Sequence, residues 1–510
     1  MDRRRLLRDA LLAIPAARSL RADTPRLEEA TLADLERGFR ENRFTARAVT
    51  ESYLARIDSL DKKGPAVNAV IEINPDALPL ADALDRERKA GRVRGPLHGV
   101  PVLIKDNLDT ADRMSTTAGS LALAGSRPAQ DAAVVARLRA AGAVILGKTN
   151  LSEWANFRST HSVSGWSGRG GLTRNPYALD RNACGSSSGS AAAVAANLCA
   201  VAVGTETDGS VTAPASVNGI VGFKPSVGLV SRSGIIPISH SQDTAGPMAR
   251  TVRDAALLLN AMADAKNAPD YTQSLDPRGL KGMRLGVERK FFGANAAMDE
   301  VMESCLAEMK RQGAELVDPA NLPSHGKYDD DELEVMLYEF KTGLNAYLAQ
   351  RSGLPVHSLA DLIAFNRQHA AQEMPHFQQE LFERAQAKGP LTDKPYTDAR
   401  ARCVQLSRAE GIDAVIRKFK LHAIVAPTAG PAPLTDLVLG DPNWPGCTTP
   451  AAVAGYPHIT VPAGFVQGLP VGISFFGPAS SEPVLLRIAY AFEQATRARK
   501  QPSFARSIAP

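Results

Sequence analysis

The chain has 510 residues, a length that allows three domains at roughly 100–200 residues each, or one large α/β unit. Hydrophobic residues make up 44% and charged residues 22%, which excludes the weakly apolar, highly charged composition of disordered chains. Lys+Arg 59 against Asp+Glu 54 leaves a formal net charge of +5, too small over so large a surface to require nucleic acid as a partner.

Gly 40 and Pro 34 with aromatics at only 5% describe a chain that turns often and packs with small aliphatic side chains. Its five cysteines (Cys184, Cys199, Cys305, Cys403, Cys447) are odd in number, form no CxxC pair and have no histidine at ligand spacing. They read as thiols, with no metal site. At the N-terminus, Arg3, Arg4, Arg5, Leu6, Leu7 and Arg8 are arranged much like a twin-arginine export signal, while Asp9, Pro15 and Arg18 interrupt the apolar run that follows. Residues 1–24 therefore read as an export signal or as a disordered basic arm, and localisation stays open between bacterial cytoplasm and export.

In chain order, the first chemical segment is PLHGVPVLIKDN, a strand over Val100 to Ile104 ending in Lys105, Asp106 and Asn107. Strand ends of this kind are where α/β folds place chemistry. Ala132 to Ala141 has helical periodicity with Val135 and Leu138 inward, Gly142 suits its cap, and Ala143 to Leu146 reads as a buried strand. A glycine- and serine-rich stretch from Gly165 to Ser190 leads into the longest apolar run, Ala191 to Val203. At under the roughly 20 residues that span a bilayer, and interrupted by Asn197, it predicts a buried helix. The small-residue loop GTETDGS follows, and Thr251 with Asp254 forms a capping box for the next helix. The least patterned region, Ala265 to Gly282, is the best linker candidate. Beyond it, MRLGVE and AELVD read as strands, and Leu333, Met336, Leu337, Phe340, Leu344, Tyr347 and Leu348 share a helical face. AIVAP, ITVPAG and VGISFFG are late strands, and a closing amphipathic helix runs through Val484, Leu485, Ile488, Ala491 and Phe492.

Two motifs match by letters alone. GAVILGKT at Gly142 to Thr149 fits the P-loop expression, but its four variable residues are apolar and read as a strand, not a phosphate-cradling loop. GSSSG at Gly185 to Gly189 fits the nucleophile elbow of α/β-hydrolase esterases with Ser187 central. Upstream, however, lies NPYALDRNAC, polar and turn-rich where the elbow needs a strand.

A third arrangement joins Lys105 after its strand, Ser186 in CGSSSGSAAAVA and Ser210 in GTETDGSV. With NGIVGFKPSVGLVSRSGIIPISHSQDTAGPMARTV, GKTNLSEWANF, TTAGS, YEFKTGLNAYL, FNRQHAAQEMP, APT and GLPVGISFFG, it resembles the amidase signature family of Ser–Ser–Lys hydrolases over nearly the whole chain after about Thr31. Within that family the text is most similar to the bacterial peptide amidases, which remove the C-terminal amide of peptide amides. The resemblance implies an α/β fold, a large twisted mixed β-sheet flanked by helices, with 25–510 as one amidase domain. It also implies release of ammonia through a Ser-linked acyl-enzyme, without cofactor or metal, from a peptide amide or a small aryl or aliphatic amide. Ser210 is then the nucleophile, Ser186 the bridging serine on a cis peptide bond, and Lys105 the base. The backbone N–H groups of Thr207, Asp208, Gly209 and Ser210 form the oxyanion hole, and pocket walls are expected near Phe157, Met114 and Tyr338. A related role, the ammonia-generating component of an amidotransferase, needs partner chains and a glutamine pocket; a catalytically dead binding protein would not need Lys105, Ser186 and Ser210 together.

The residue types suit the chemistry. A serine hydroxyl needs a neighbour to take its proton, and a lysine does so only when neutral, a state favoured by burial behind Val102, Leu103 and Ile104. The sequence departs from the family pattern at Cys184, Ser188 and Asp208. A carboxylate beside a developing oxyanion opposes it unless turned away or paired, so Asp208 reads either as a substrate-positioning group facing outward or as a loop-stabilising hydrogen-bond acceptor.

Overall fold

The computed structural model describes residues 25–264 and 268–508, so the basic segment 1–24 lies outside the described residues. In chain order the strands are β1 (Val70–Ile73), β2 (Pro101–Lys105), β3 (Val144–Thr149), β4 (Trp166–Ser167), β5 (Gly171–Leu172), β6 (Val201–Glu206), β7 (Val221–Lys224), β8 (Thr244–Ala249), β9 (Arg284–Val287), β10 (Glu315–Val317), β11 (Ala423–Pro427), β12 (His458–Val466) and β13 (Leu469–Phe476). β4 and β5 pair with each other; the other eleven form one mixed sheet in the order β1-β3-β2-β6-β8-β7-β12-β13-β11-β9-β10. β2, β3 and β6 are buried at every position, which is why they read as continuous apolar runs. Because β2 lies parallel to both β3 and β6, the carboxyl ends of the three lie side by side, carrying Lys105, Thr149 and Glu206.

Several expectations change in detail. The apolar run from Ala191 is not one helix. The helix Ser188–Ala195 stops, Asn197 takes a left-handed φ of 57, which asparagine tolerates, and β6 begins at Val201. Thr251 caps the helix Val252–Met262 by accepting from Asp254 N at 3.0 Å. The reciprocal half of the box is diverted: Asp254 Oδ1 accepts instead from Leu32 N at 3.2 Å, which pins the helix Leu32–Arg40. The linker candidate falls partly outside the described residues, and its remainder forms the turn Tyr271–Ser274 with Tyr271 buried. β9 and β10, which follow it, join the same sheet as β1–β3 and β6–β8.

The P-loop letters belong to β3, where Lys148 is wholly buried and donates to Thr116 Oγ1 at 2.8 Å and Leu108 O at 2.5 Å. The helix Asp329–Leu348 buries Leu337, Phe340, Leu344 and Leu348 in a second core. The three expected wall residues are packed against neighbours. Met114 lies in the main core, Phe157 sits 5.0 Å from the Phe340 ring and Tyr338 5.6 Å from Tyr396. All five cysteines are free and buried. Among the described residues, no helix is long and apolar enough to cross a membrane.

Candidate active site

Lys105, the last residue of β2, has no solvent exposure. Its Nζ donates to Ser186 Oγ at 2.7 Å, to Thr205 Oγ1 at 2.9 Å and to Thr205 O at 3.2 Å, so every contact is neutral. Burial pulls its pKa down to about 7, against the opposing pull of the Asp243 and Glu206 carboxylates. Asn107 holds the same Thr205 hydroxyl at 3.0 Å. The Gly185–Ser186 peptide bond is cis, and Ser186 O accepts from Ser152 N at 3.1 Å. A Cβ on Gly185 would lie 2.1 Å from Ser152 Oγ, so only glycine allows this approach.

The second loop leaves β6 at Glu206. That carboxylate turns back to accept from Val211 N at 2.8 Å, Thr212 N at 2.9 Å and Thr212 Oγ1 at 3.1 Å, capping the helix Thr212–Val217. Ser187 N donates to Ser210 O at 3.1 Å, which joins the two serine loops. Ser210 is 8% exposed, whereas Ser186 and Ser187 are 0%, so of these three serines Ser210 alone has surface open to solvent. Gly209 has φ +76 and its missing Cβ would lie 3.0 Å from Thr448 Oγ1. Among the described residues, the N–H groups of Asp208, Gly209 and Ser210 donate to no protein acceptor. Ser187 is spent structurally: its Oγ donates to Thr205 O at 3.0 Å and accepts from Thr205 N at 3.2 Å. Neither of these bonds, nor the strand-free segment before it, suits a nucleophile elbow.

Asp208 is turned toward a neighbouring segment, where its Oδ2 accepts from Thr449 Oγ1 at 2.6 Å. Its Oδ1 is buried without a partner. Burial pushes its pKa up to about 6, with the Thr448 and Thr449 hydroxyls pulling the other way. Glu332 is raised well above the carboxylate range by burial and the Asp208 charge, and it accepts from Gln242 Nε2 at 2.7 Å. Thr449 also borders a cavity of about 420 Å³ walled by Phe291, Phe292, Tyr328 and Trp444, with Lys290 and Asp329 among its charged groups. Neither Glu332 nor this cavity is visible in the sequence, since both arise where segments far apart in the chain meet. Among the described residues, no three His, Cys, Asp or Glu side chains converge to hold a metal ion.

The amidase family profile matches residues 48–486. A peptide amidase solved in complex with the competitive inhibitor chymostatin is 52% identical, with a TM-score of 0.90, over 93% of this chain and 99% of that one. A probable amidase of Arabidopsis thaliana is 45% identical over 97% of this chain and 95% of its own. A glutamyl-tRNA(Gln) amidotransferase subunit from Symbiobacterium thermophilum is 36% identical over 91% of this chain and 96% of its own. Similarity of this extent, through both serine loops and across the sheet that carries them, makes the chain a member of the amidase family, an enzyme that hydrolyses carbon–nitrogen bonds.

Proposed function

We propose that the protein hydrolyses the C-terminal amide of peptides, using Ser210 as nucleophile, Ser186 as proton bridge and Lys105 as base. The observation that carries this reading is the wholly buried Lys105 amine, 2.7 Å from Ser186 Oγ and without a carboxylate in contact. Ser210 Oγ attacks the amide carbon while its proton passes by way of Ser186 to neutral Lys105. The carbonyl oxygen becomes an oxyanion facing the N–H groups of Thr207, Asp208, Gly209 and Ser210. Collapse of the tetrahedral intermediate breaks the C–N bond, the proton returns through Ser186 to the nitrogen, and ammonia departs. Water then attacks the acyl-serine by the same proton route, giving the free carboxylic acid and restoring Ser210.

Two features favour a peptide substrate. The cavity beside Asp208, at about 420 Å³ with aromatic walls and a few polar groups, suits an amino-acid side chain. The likeness at 52% identity is to a peptide amidase. Residues 25–510 are read as one catalytic domain, which the continuity of the eleven-strand sheet supports.

A fluorophosphonate probe followed by peptide mapping is expected to label Ser210, and label on any other serine would overturn the assignment. Ammonia release from peptide amides should exceed that from aryl and short aliphatic amides. The amidotransferase relative supports a second reading as the ammonia-generating part of a larger enzyme, so free glutamine belongs in the same screen; turnover of glutamine alone would favour it.

A further inference from the structure

Beyond the residues that meet the substrate, one fully engaged carboxylate ties the nucleophile loop to the rest of the molecule. Asp243, just before β8, is 7% exposed. Its Oδ1 accepts from Thr207 Oγ1 at 2.6 Å, and its Oδ2 accepts from Ile238 N and Ser239 N, both at 2.9 Å. The turn it grips is itself anchored. Glu339, on the helix Asp329–Leu348, accepts from Ser239 Oγ at 2.6 Å, Ser241 N at 3.1 Å and Tyr396 OH at 2.8 Å, and His240 Nε2 approaches it at 3.3 Å. A continuous chain of bonds thus runs from that long helix to the first residue of the oxyanion loop.

We propose that Asp243 is a positioning residue of the amidase reaction, clamping the Thr207 end of the oxyanion loop, and that its negative charge is felt at Lys105. The inference rests on the roles assigned above to Lys105 and Ser210. The loop leaves β6 with its N–H groups unspent, so their aim depends on what holds its side chains; a misplacement of about 1 Å at such a site costs on the order of a hundredfold in rate. The charged groups that bear on Lys105 are Asp243 and Glu206, and Arg232 bears on Asp243. Glu206 is committed to capping the helix Thr212–Val217, so of the two carboxylates Asp243 is the one that also holds Thr207. Its charge opposes the burial of the Lys105 amine, so removing it makes neutral Lys105 available at lower pH. Protonation of Asp243, itself pushed up to about 6 by burial, loosens the same clamp as the solution acidifies.

Two substitutions separate clamp from charge. In Asp243→Asn the amide oxygen still accepts from Ile238 and Ser239 while its NH₂ faces the Thr207 hydroxyl, so the shape survives and the charge is lost. The acid limb of kcat/KM against pH should move down by on the order of half a pH unit. Thr207→Val keeps the charge and breaks the clamp. Here kcat should fall about tenfold or more with KM within about twofold and the limb unmoved, and Thr207→Ser should restore kcat. An unshifted limb in Asp243→Asn, or wild-type kcat in Thr207→Val, overturns the proposal. Should Asp243→Asn fail to fold, the Thr207 pair decides the clamp alone. Activity surviving in Ser210→Ala would instead refute the assigned nucleophile, an outcome read independently of both variants.

Discussion

At Lys105 the fold surrounds an amine with one hydroxyl from each of Ser186 and Thr205 and a backbone carbonyl, and keeps the two neighbouring carboxylates out of contact. Desolvation then outweighs the carboxylate charges, and the pKa comes to about 7. A base is active when unprotonated, so kcat/KM should rise with pH through about 7 and level off above it, as a stopped-time ammonia assay across pH 5 to 9 would read out. The same shift has a thermodynamic side. From the folded value up to an ordinary lysine value of about 10.4 the unfolded chain holds more protons at this position, so its contribution makes stability rise with pH over that window. Lys105→Met, close in length and uncharged, should lower kcat/KM by about 10²–10⁴ while its melting temperature stays at or above that of the wild type, because no buried amine remains to be desolvated. A parallel collapse of melting temperature and rate would show that the lysine holds the fold instead of the proton.

Two short segments act as elements: Gly185–Ser190, which runs into the helix Ser188–Ala195, and Gly204–Ser210, which leaves the end of β6. Gly209 is the critical joint of the second. Alanine there must adopt φ near +76 and place its Cβ 3.0 Å from Thr448 Oγ1; left-handed backbone alone costs about 1–2 kcal/mol. Gly209→Ala should therefore lower kcat by about 10²–10³ with a modest loss of stability, measured by urea unfolding beside the activity assay. These loops were legible in the sequence because clustered small residues carry their chemistry in their own letters, as Lys105 does at the end of β2. Asp243 and Glu332 were not, each being one acid among 54. Their meaning comes from partners 36 and 90 positions away, Thr207 and Gln242. The longest apolar run misled for a related reason: hydrophobicity is continuous from Ala191 to Val203, while the break at Asn197 is made by a side chain that exchanges hydrogen bonds with Glu29 at 2.8 and 2.9 Å.

Across the whole molecule, chain order and sheet order disagree. β12 and β13 arrive last of all the strands yet lie between β7 and β11, so β9 and β10 reach the catalytic half of the sheet only through them. A chain ending at Lys420 would expose β7 as an edge and leave β9 and β10 paired only with each other. It should lack the cooperative melt of the full chain and any ammonia release, and supplying residues 421–510 as a separate chain should restore both in part; a folded, active truncation would refute that dependence. The five cysteines give this architecture a built-in reporter. Cys199 and Cys447 have no exposure, and Cys305, Cys403 and Cys184 have 4, 2 and 6%, and burial raises every one of the thiols. Maleimide should be inert toward the native enzyme. Cys184, however, immediately precedes the Gly185–Ser186 bond, while Cys199 and Cys305 lie in the main core and Cys447 and Cys403 in two smaller ones. The order in which they become alkylated in rising denaturant therefore maps where the molecule first lets water in, and an early Cys184 would mark the serine loop opening while the sheet is still closed.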